Sequence, residues 1–204
     1  MTLKFYTNPM SRGQIARWAL HEAGADYDQI LLDYGTSMKA PDYLAINPMG
    51  KVPAIAHDNK IVTEGAAICA YLADAFPDAG LAPTAEEQAD YYRWLFFAAG
   101  PLESAITNRS MGFEIEPDKE KMAGYGNYDQ VVDALDRKFQ TDDYVCGTRF
   151  TMADVYVGAQ VVWGTQFGTL PKRDSFVAYA QRVTERAAYK SAKAVDDALI
   201  AENS

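Results

Sequence analysis

Two short segments of this chain carry residue types whose spacing suits ligand chemistry. The first is Asn47-Pro48-Met49-Gly50-Lys51-Val52-Pro53-Ala54-Ile55, and the second is Thr63-Glu64-Gly65-Ala66-Ala67-Ile68. Pro53 stands where a loop enters an apolar strand, and a proline cannot donate to a β-ladder, so it belongs at an edge or in a turn. A cis Val52–Pro53 bond would turn the preceding backbone outward and leave the N–H and C=O of Val52 free to pair with an extended ligand. A trans bond would make Pro53 an ordinary loop proline. Glu64-Gly65 opens a long apolar helix whose first N–H groups lack intrahelical acceptors and carry the positive end of the helix dipole. A strand edge and an anion-binding helix start, one hairpin apart, suit a small acidic peptide.

Local elements must position these groups. Leu3 to Tyr6 reads as a short strand, ended by Asn8-Pro9. Ser11 is placed to cap a helix with Ile15, Ala16, Ala19, Leu20 and Ala23 on one face, stopped by Gly24. Tyr27 to Leu32 reads as a second strand and Tyr43 to Ile46 as a helical turn. Two further strands, Ala54 to His57 and Lys60 to Thr63, flank a turn at Asp58-Asn59, and a helix follows from Glu64 to Phe76. This order predicts an α/β N-terminal thioredoxin-like domain over residues 1–77. Two prolines and a glycine between Phe76 and Pro83 mark a linker, placed at 78–84, and residues 85–204 read as an all-α C-terminal domain. Within it, Thr84-Ala85-Glu86-Glu87 and Thr151-Met152-Ala153-Asp154 are capping-box sequences, and Phe150 with Val155 could form a hydrophobic staple.

Bulk properties bound the function. The 204 residues carry a net charge of −9, which argues against nucleic acid or an acidic membrane surface as partner. Residues 1–76 hold 6 basic and 8 acidic side chains, while residues 77–204 hold 13 and 20. An anionic ligand therefore meets less repulsion in the N-terminal part, where Lys39 and Lys51 flank the first segment. No apolar run is long enough to span a bilayer and no signal-peptide pattern begins the chain, so a cytoplasmic protein is expected. Cys69 and Cys146 read as two buried free thiols, and His21 and His57 form no ligand cluster with them, so no metal is expected.

The pattern N-P-x-G-K-V-P-A followed by T-E-x-x-A-I-x-x-Y-L, together with Phe150-Thr151-Met152-Ala153-Asp154, resembles the cytosolic glutathione S-transferases over nearly the whole chain. Pro9-Met10-Ser11 is similar to the serine-type first loop of phi- and theta-like members. The resemblance implies glutathione as co-substrate, with no permanently bound cofactor, and a thiolate that attacks a hydrophobic electrophile in detoxification-type conjugation. It implies Ser11 as donor to the thiolate, with Tyr6 as the rival. Val52 would pair through its backbone, Pro53 would shape the edge, and Glu64 would accept from the γ-glutamyl ammonium. The Gly65 N–H would bind the γ-glutamyl carboxylate, and Lys39 and Lys51 would face the glycyl carboxylate. The family usually has Glu-Ser where this chain has Glu64-Gly65, so one hydroxyl is lost. An electrophile pocket between the two domains would draw on Met10, Met111, Phe113 and Trp163, whose apolar character also suits plain core. A homodimer is implied as well. Two alternatives stand beside conjugation. One is a non-catalytic protein that binds glutathione or another ligand. The other is a glutathione-dependent reductase or peroxidase, although the reductase relatives carry a first-loop cysteine and Asn8 to Gly13 contains none.

Overall fold

In a computed structural model, which describes residues 2–202, the chain forms two compact units, residues 2–82 with 185–202 and residues 83–184. The first unit is built on a four-stranded sheet in the order β2-β1-β3-β4, from β1 (Leu3–Thr7), β2 (Asp28–Leu31), β3 (Ala54–His57) and β4 (Lys60–Thr63). β1 runs parallel to β2 and antiparallel to β3, which pairs antiparallel with β4 in the register Ala54 to Thr63. The inner strands carry the apolar residues: Leu3, Phe5, Ala54 and Ile55 are buried, whereas β4 exposes Ile61. Strand alternation sends Phe5 and Tyr6 to opposite faces. Phe5 meets Tyr27 edge-to-face at 5.5 Å, while Tyr6 joins Leu32, Met38, Tyr43 and Ala54 in a second cluster.

Helices α1 (Gly13–Glu22), α2 (Pro41–Leu44) and α3 (Gly65–Ala75) complete the expected unit. Gly24 ends the first of them at φ 64°, with the Ala25 N–H reaching Leu20 O at 3.0 Å across the αL residue. This is the mixed four-stranded arrangement of a thioredoxin-like domain.

The C-terminal segment departs from expectation. Helix α9 (Ala187–Glu202) belongs with residues 2–82 rather than with the helical domain to which residues 85–204 were assigned. It lies along α1, where Trp18 meets Tyr189 edge-on at 5.0 Å and Arg186 grips Glu22 through two bonds of 2.6 and 2.7 Å. Beneath them the fully buried Arg17 donates to Asp196 at 2.9 Å and to the Tyr27 hydroxyl at 3.0 Å, with its guanidinium over the Phe5 ring. Nothing in the local pattern marks Arg17 as buried. Among the described residues, its counter-charge comes from Asp196, with the docking of α9.

The second unit holds α4 (Gln88–Phe97), α5 (Glu103–Ser110), α6 (Tyr128–Thr141), α7 (Met152–Phe167) and α8 (Asp174–Thr184). A π-helical turn over Ala98–Leu102 joins α4 to α5, and Pro101 within it lacks the N–H that a regular helix would use. The box at Thr84 forms only in part: the Thr84 N–H donates to Glu87 at 2.8 Å, but Glu87 also pairs with Arg149, and α4 starts four residues later. That arginine holds the Glu87 carboxyl down at about 2. The box at Thr151 is complete, and α7 is buried almost all round. Phe150 is buried and packs its edge on Tyr144 at 5.7 Å. Cys69 is buried as expected, whereas Cys146 is only half-buried. Among the described residues, no helix is long and apolar enough to cross a membrane and no group of three His, Cys, Asp or Glu could hold a metal ion. His21 bonds Ser191 and Tyr27, and His57 bonds Tyr71.

Candidate functional site

The loop that follows β1 is pinned by Asn8. Its Nδ2 donates to Leu32 O at 2.8 Å and its Oδ1 accepts the Met10 N–H at 2.9 Å. These bonds hold Ser11 over the start of α1. The Ser11 hydroxyl donates its only proton to Asn8 O at 2.6 Å and accepts the Gly13 N–H at 2.9 Å. Ser11 thus satisfies a helix-start donor from two residues upstream, and its Oγ is half-buried at the positive end of α1. Tyr6 is 9 % exposed, and its ring lies 5.5 Å from that of Tyr43 within the second cluster. The sheet and α2 therefore claim it as packing.

Gly13 is required for steric reasons. A Cβ there would stand 2.0 Å from Thr7 Oγ1, 2.9 Å from Ser11 Oγ and 3.2 Å from Asn8 O. Alanine would ordinarily favour a helix by roughly 0.8–1 kcal/mol over glycine. Here Gly13→Ala is expected to destabilise the protein by about 1–3 kcal/mol, because the buried Thr7 or the Ser11 loop must move. Urea unfolding of the two proteins checks the sign.

The loop over Asn47 to Lys51 is equally fixed. Asn47, 4 % exposed, accepts the Met49 N–H at 3.1 Å and donates to Lys51 O at 2.7 Å. The Tyr43 hydroxyl donates to the same carbonyl at 2.6 Å, and burial pushes its pKa up to about 12, so it stays a donor. Lys39 Nζ donates to Met49 O at 3.1 Å and Gly50 O at 2.9 Å. Two of the three ammonium protons of Lys39 are thus spent on the loop, while the side chain of Lys51 is exposed. The roles of Tyr43 and Asn47 escaped the sequence reading, although Asn47-Pro48 followed by Gly50 is a turn signal that could have raised the second.

This loop delivers Val52 with its side chain packed against the second cluster and a cis bond to Pro53. The buried Pro53 leads directly into β3. The pairing of β1, β3 and β4 begins at Ala54, and neither the N–H nor the C=O of Val52 is engaged by another group among the described residues. One hairpin later, Glu64 sits at φ 65° and ψ 120°, a region costly for any residue with a Cβ. Its carbonyl accepts the Ile68 N–H at 2.9 Å while its side chain is exposed, and Gly65 starts α3.

The residues expected to line an electrophile pocket differ in exposure. Met10, Met111 and Phe113 are exposed rather than core, and Trp163 is half-buried. Within the helical unit, Phe113 lines a cavity of about 190 Å³ with Arg109, Tyr125 and Tyr128. Arg109 lies 4.1 Å over the Tyr128 ring.

The model of the glutathione S-transferase N-terminal domain matches residues 1–74, and that of the C-terminal domain matches residues 93–187. The chain belongs to the glutathione S-transferase family. It is 28% identical over 206 residues to glutathione S-transferase GstA of Escherichia coli O157:H7, covering 98% of each chain. A glutathione transferase from Methylococcus capsulatus superposes with a TM-score of 0.79 at 25% identity, covering 96% of this chain and 99% of that one. A sphingomonad glutathione S-transferase complexed with glutathione superposes at 0.76 with 26% identity, covering 95% and 98%. This chain pairs a thioredoxin-like domain with an all-helical one, the architecture that these superpositions match.

Proposed function

We propose that the protein binds glutathione along Val52 and Glu64 and conjugates its thiolate to hydrophobic electrophiles. The observation that carries this reading is the free backbone edge of Val52 set one hairpin from a strained Glu64 at the start of α3. An extended dipeptide segment adds two hydrogen bonds at such an edge. The Gly65 N–H and the dipole of α3 suit a carboxylate, and the free carboxylate of Glu64 suits an ammonium. Those two charges sit on one α-carbon in a γ-glutamyl group. The neighbouring sphingomonad enzyme was solved with glutathione bound. Ser11 then supplies an O–H to the sulfur, Pro53 shapes the edge, and Lys51 offers its charge to the second carboxylate. Lys39 serves that end of the ligand mainly by fixing the loop.

Calorimetric titration with glutathione, followed by conjugation to an aryl halide, tests the reading. Glutathione is expected to bind, and Glu64→Ala to weaken it by roughly tenfold to a hundredfold, the loss of one charged hydrogen-bonded partner. No heat of binding for the wild type would sink the proposal. Binding without turnover would leave a carrier, and turnover confined to disulfide or peroxide substrates would leave a reductase or peroxidase.

A further inference from the structure

Three oxygens converge on the bare flank of Gly13: Thr7 Oγ1, Ser11 Oγ and Asn8 O. Two of them are bonded to each other, since Ser11 donates to Asn8. The third is not. Thr7 is 0% exposed at the end of β1, and its hydroxyl has no hydrogen-bond partner among the described residues. A buried unsatisfied hydroxyl is destabilising, and valine would fill the same space in a strand without that cost. A group kept at such expense beside the candidate thiol-activating serine calls for a role in which its proton is spent.

The geometry supplies one. In the structure Ser11 has its single proton on Asn8 O and, among the described residues, accepts from Gly13 alone. To donate to a sulfur it must turn that proton away from Asn8, and its oxygen then keeps one lone pair unused. We propose that Thr7 is a positioning residue for Ser11, its hydroxyl donating to Ser11 Oγ when Ser11 turns to a bound thiolate. The inference rests on the reading of Ser11 given above. No covalent bond changes. The Thr7 O–H donates to Ser11, and Ser11 donates to sulfur. An oxygen that accepts from both Gly13 and Thr7 is a stronger donor through its own proton, because chained hydrogen bonds polarise one another. The gap at Gly13 is what lets Thr7 approach, which ties the missing Cβ to the chemistry as well as to the packing.

The test compares wild type, Thr7→Val, Thr7→Ser and Ser11→Ala by ultraviolet titration of the bound glutathione thiolate and by the pH profile of kcat/KM, with urea unfolding alongside. In Thr7→Val the pKa of the bound thiol is expected to rise by about half a unit to one unit, roughly threefold to tenfold less thiolate below it. Its urea midpoint is expected to hold or rise, since an orphan hydroxyl has been removed. Thr7→Ser keeps a hydroxyl and is expected to restore the wild-type profile, which a merely structural role for the threonine would not require. Should Ser11→Ala displace the thiol pKa while Thr7→Val leaves it unchanged, the Thr7 inference is wrong and the Ser11 reading stands. Should neither move it, or should glutathione not bind, both fall together. Were Thr7→Val to unfold, the Thr7→Ala and Thr7→Ser pair would decide the same question.

Discussion

Asp154→Ala is expected to destabilise the protein by about 3 kcal/mol at neutral pH, measured as the shift in urea unfolding. Asp154 is completely buried at the start of α7 and serves four donors. It accepts the Val145 N–H at 2.7 Å, the Thr151 N–H at 2.9 Å, the Thr151 hydroxyl at 3.1 Å and the Tyr179 hydroxyl at 2.9 Å. Truncation leaves two buried N–H groups and a buried phenol without an acceptor, in surroundings closed by Val145, Thr151 and Tyr179, none of which meets solvent. The carboxyl joins the segment before α7 to the helix start and to α8, so the loss falls on the packing of three elements at once.

The same side chain gives the deficit a pH signature. Burial, outweighing the donors, raises the Asp154 pKa from 3.8 to about 6. A folded-state pKa above the unfolded one means that the native protein binds this proton more tightly. The stability so gained is fully present below about 3.8 and is lost as pH rises through about 6. The Asp154→Ala deficit is therefore expected to be larger at pH 4.5 than at pH 7.5, by about 2 kcal/mol. Asp196, also raised to about 6 by burial, contributes in the same direction, and His21, lowered by burial and by Arg17, opposes it. Both are common to wild type and variant and cancel in the difference. A deficit that grows from pH 4.5 to pH 7.5 would show that the carboxylate, not the acid, is the form the fold prefers.

Ser11→Ala is expected to lower kcat/KM for conjugation at neutral pH by about tenfold to a hundredfold and to leave glutathione affinity within about threefold of wild type. A thiol has an ordinary pKa near 8.5, and each unit of depression corresponds to about 1.4 kcal/mol. A hydrogen bond to a charged acceptor contributes roughly 1.5–3 kcal/mol, so removing it raises the thiol pKa by about one to two units. The start of α1 still offers its dipole, which explains why activity should fall without vanishing. The affinity is spared because the Val52 edge and the Glu64-Gly65 helix start are unaltered. The pH profile is the sharper readout: the variant should recover most of its rate at pH 9, where the thiol ionises unaided. An unaltered rate would remove Ser11 from the chemistry, and Tyr6→Phe would then be compared with wild type.

Much of this molecule can be read from local residue patterns. The hairpin around Asp58-Asn59, the stop at Gly24 and the box at Thr151-Asp154 follow from rules that act over a few residues, and the structure forms each of them. The Val52-Pro53 and Glu64-Gly65 segments were likewise recognisable, because a backbone edge and a helix start are made by contiguous residues. Side chains whose state depends on distant partners could not be read in this way. Arg17 looks like a solvated helix residue until α9 returns to cover it, and the C-terminal residues look like part of a helical domain until Arg186 and Asp196 find Glu22 and Arg17. Lys39 could be read as a charge near the ligand, yet the fold spends it on two carbonyls. Met10, Met111 and Phe113 have apolar side chains that composition places inside and the tertiary structure leaves exposed. Sequence alone determined the order of elements in the N-terminal domain and the backbone of the candidate site, since turns, helix starts and strand edges are made by contiguous residues. Which hydroxyl protons are bonded and which are not, at Ser11 and Thr7 above all, was decided only by tertiary packing, because a donor's availability depends on every group the fold brings within three ångströms of it.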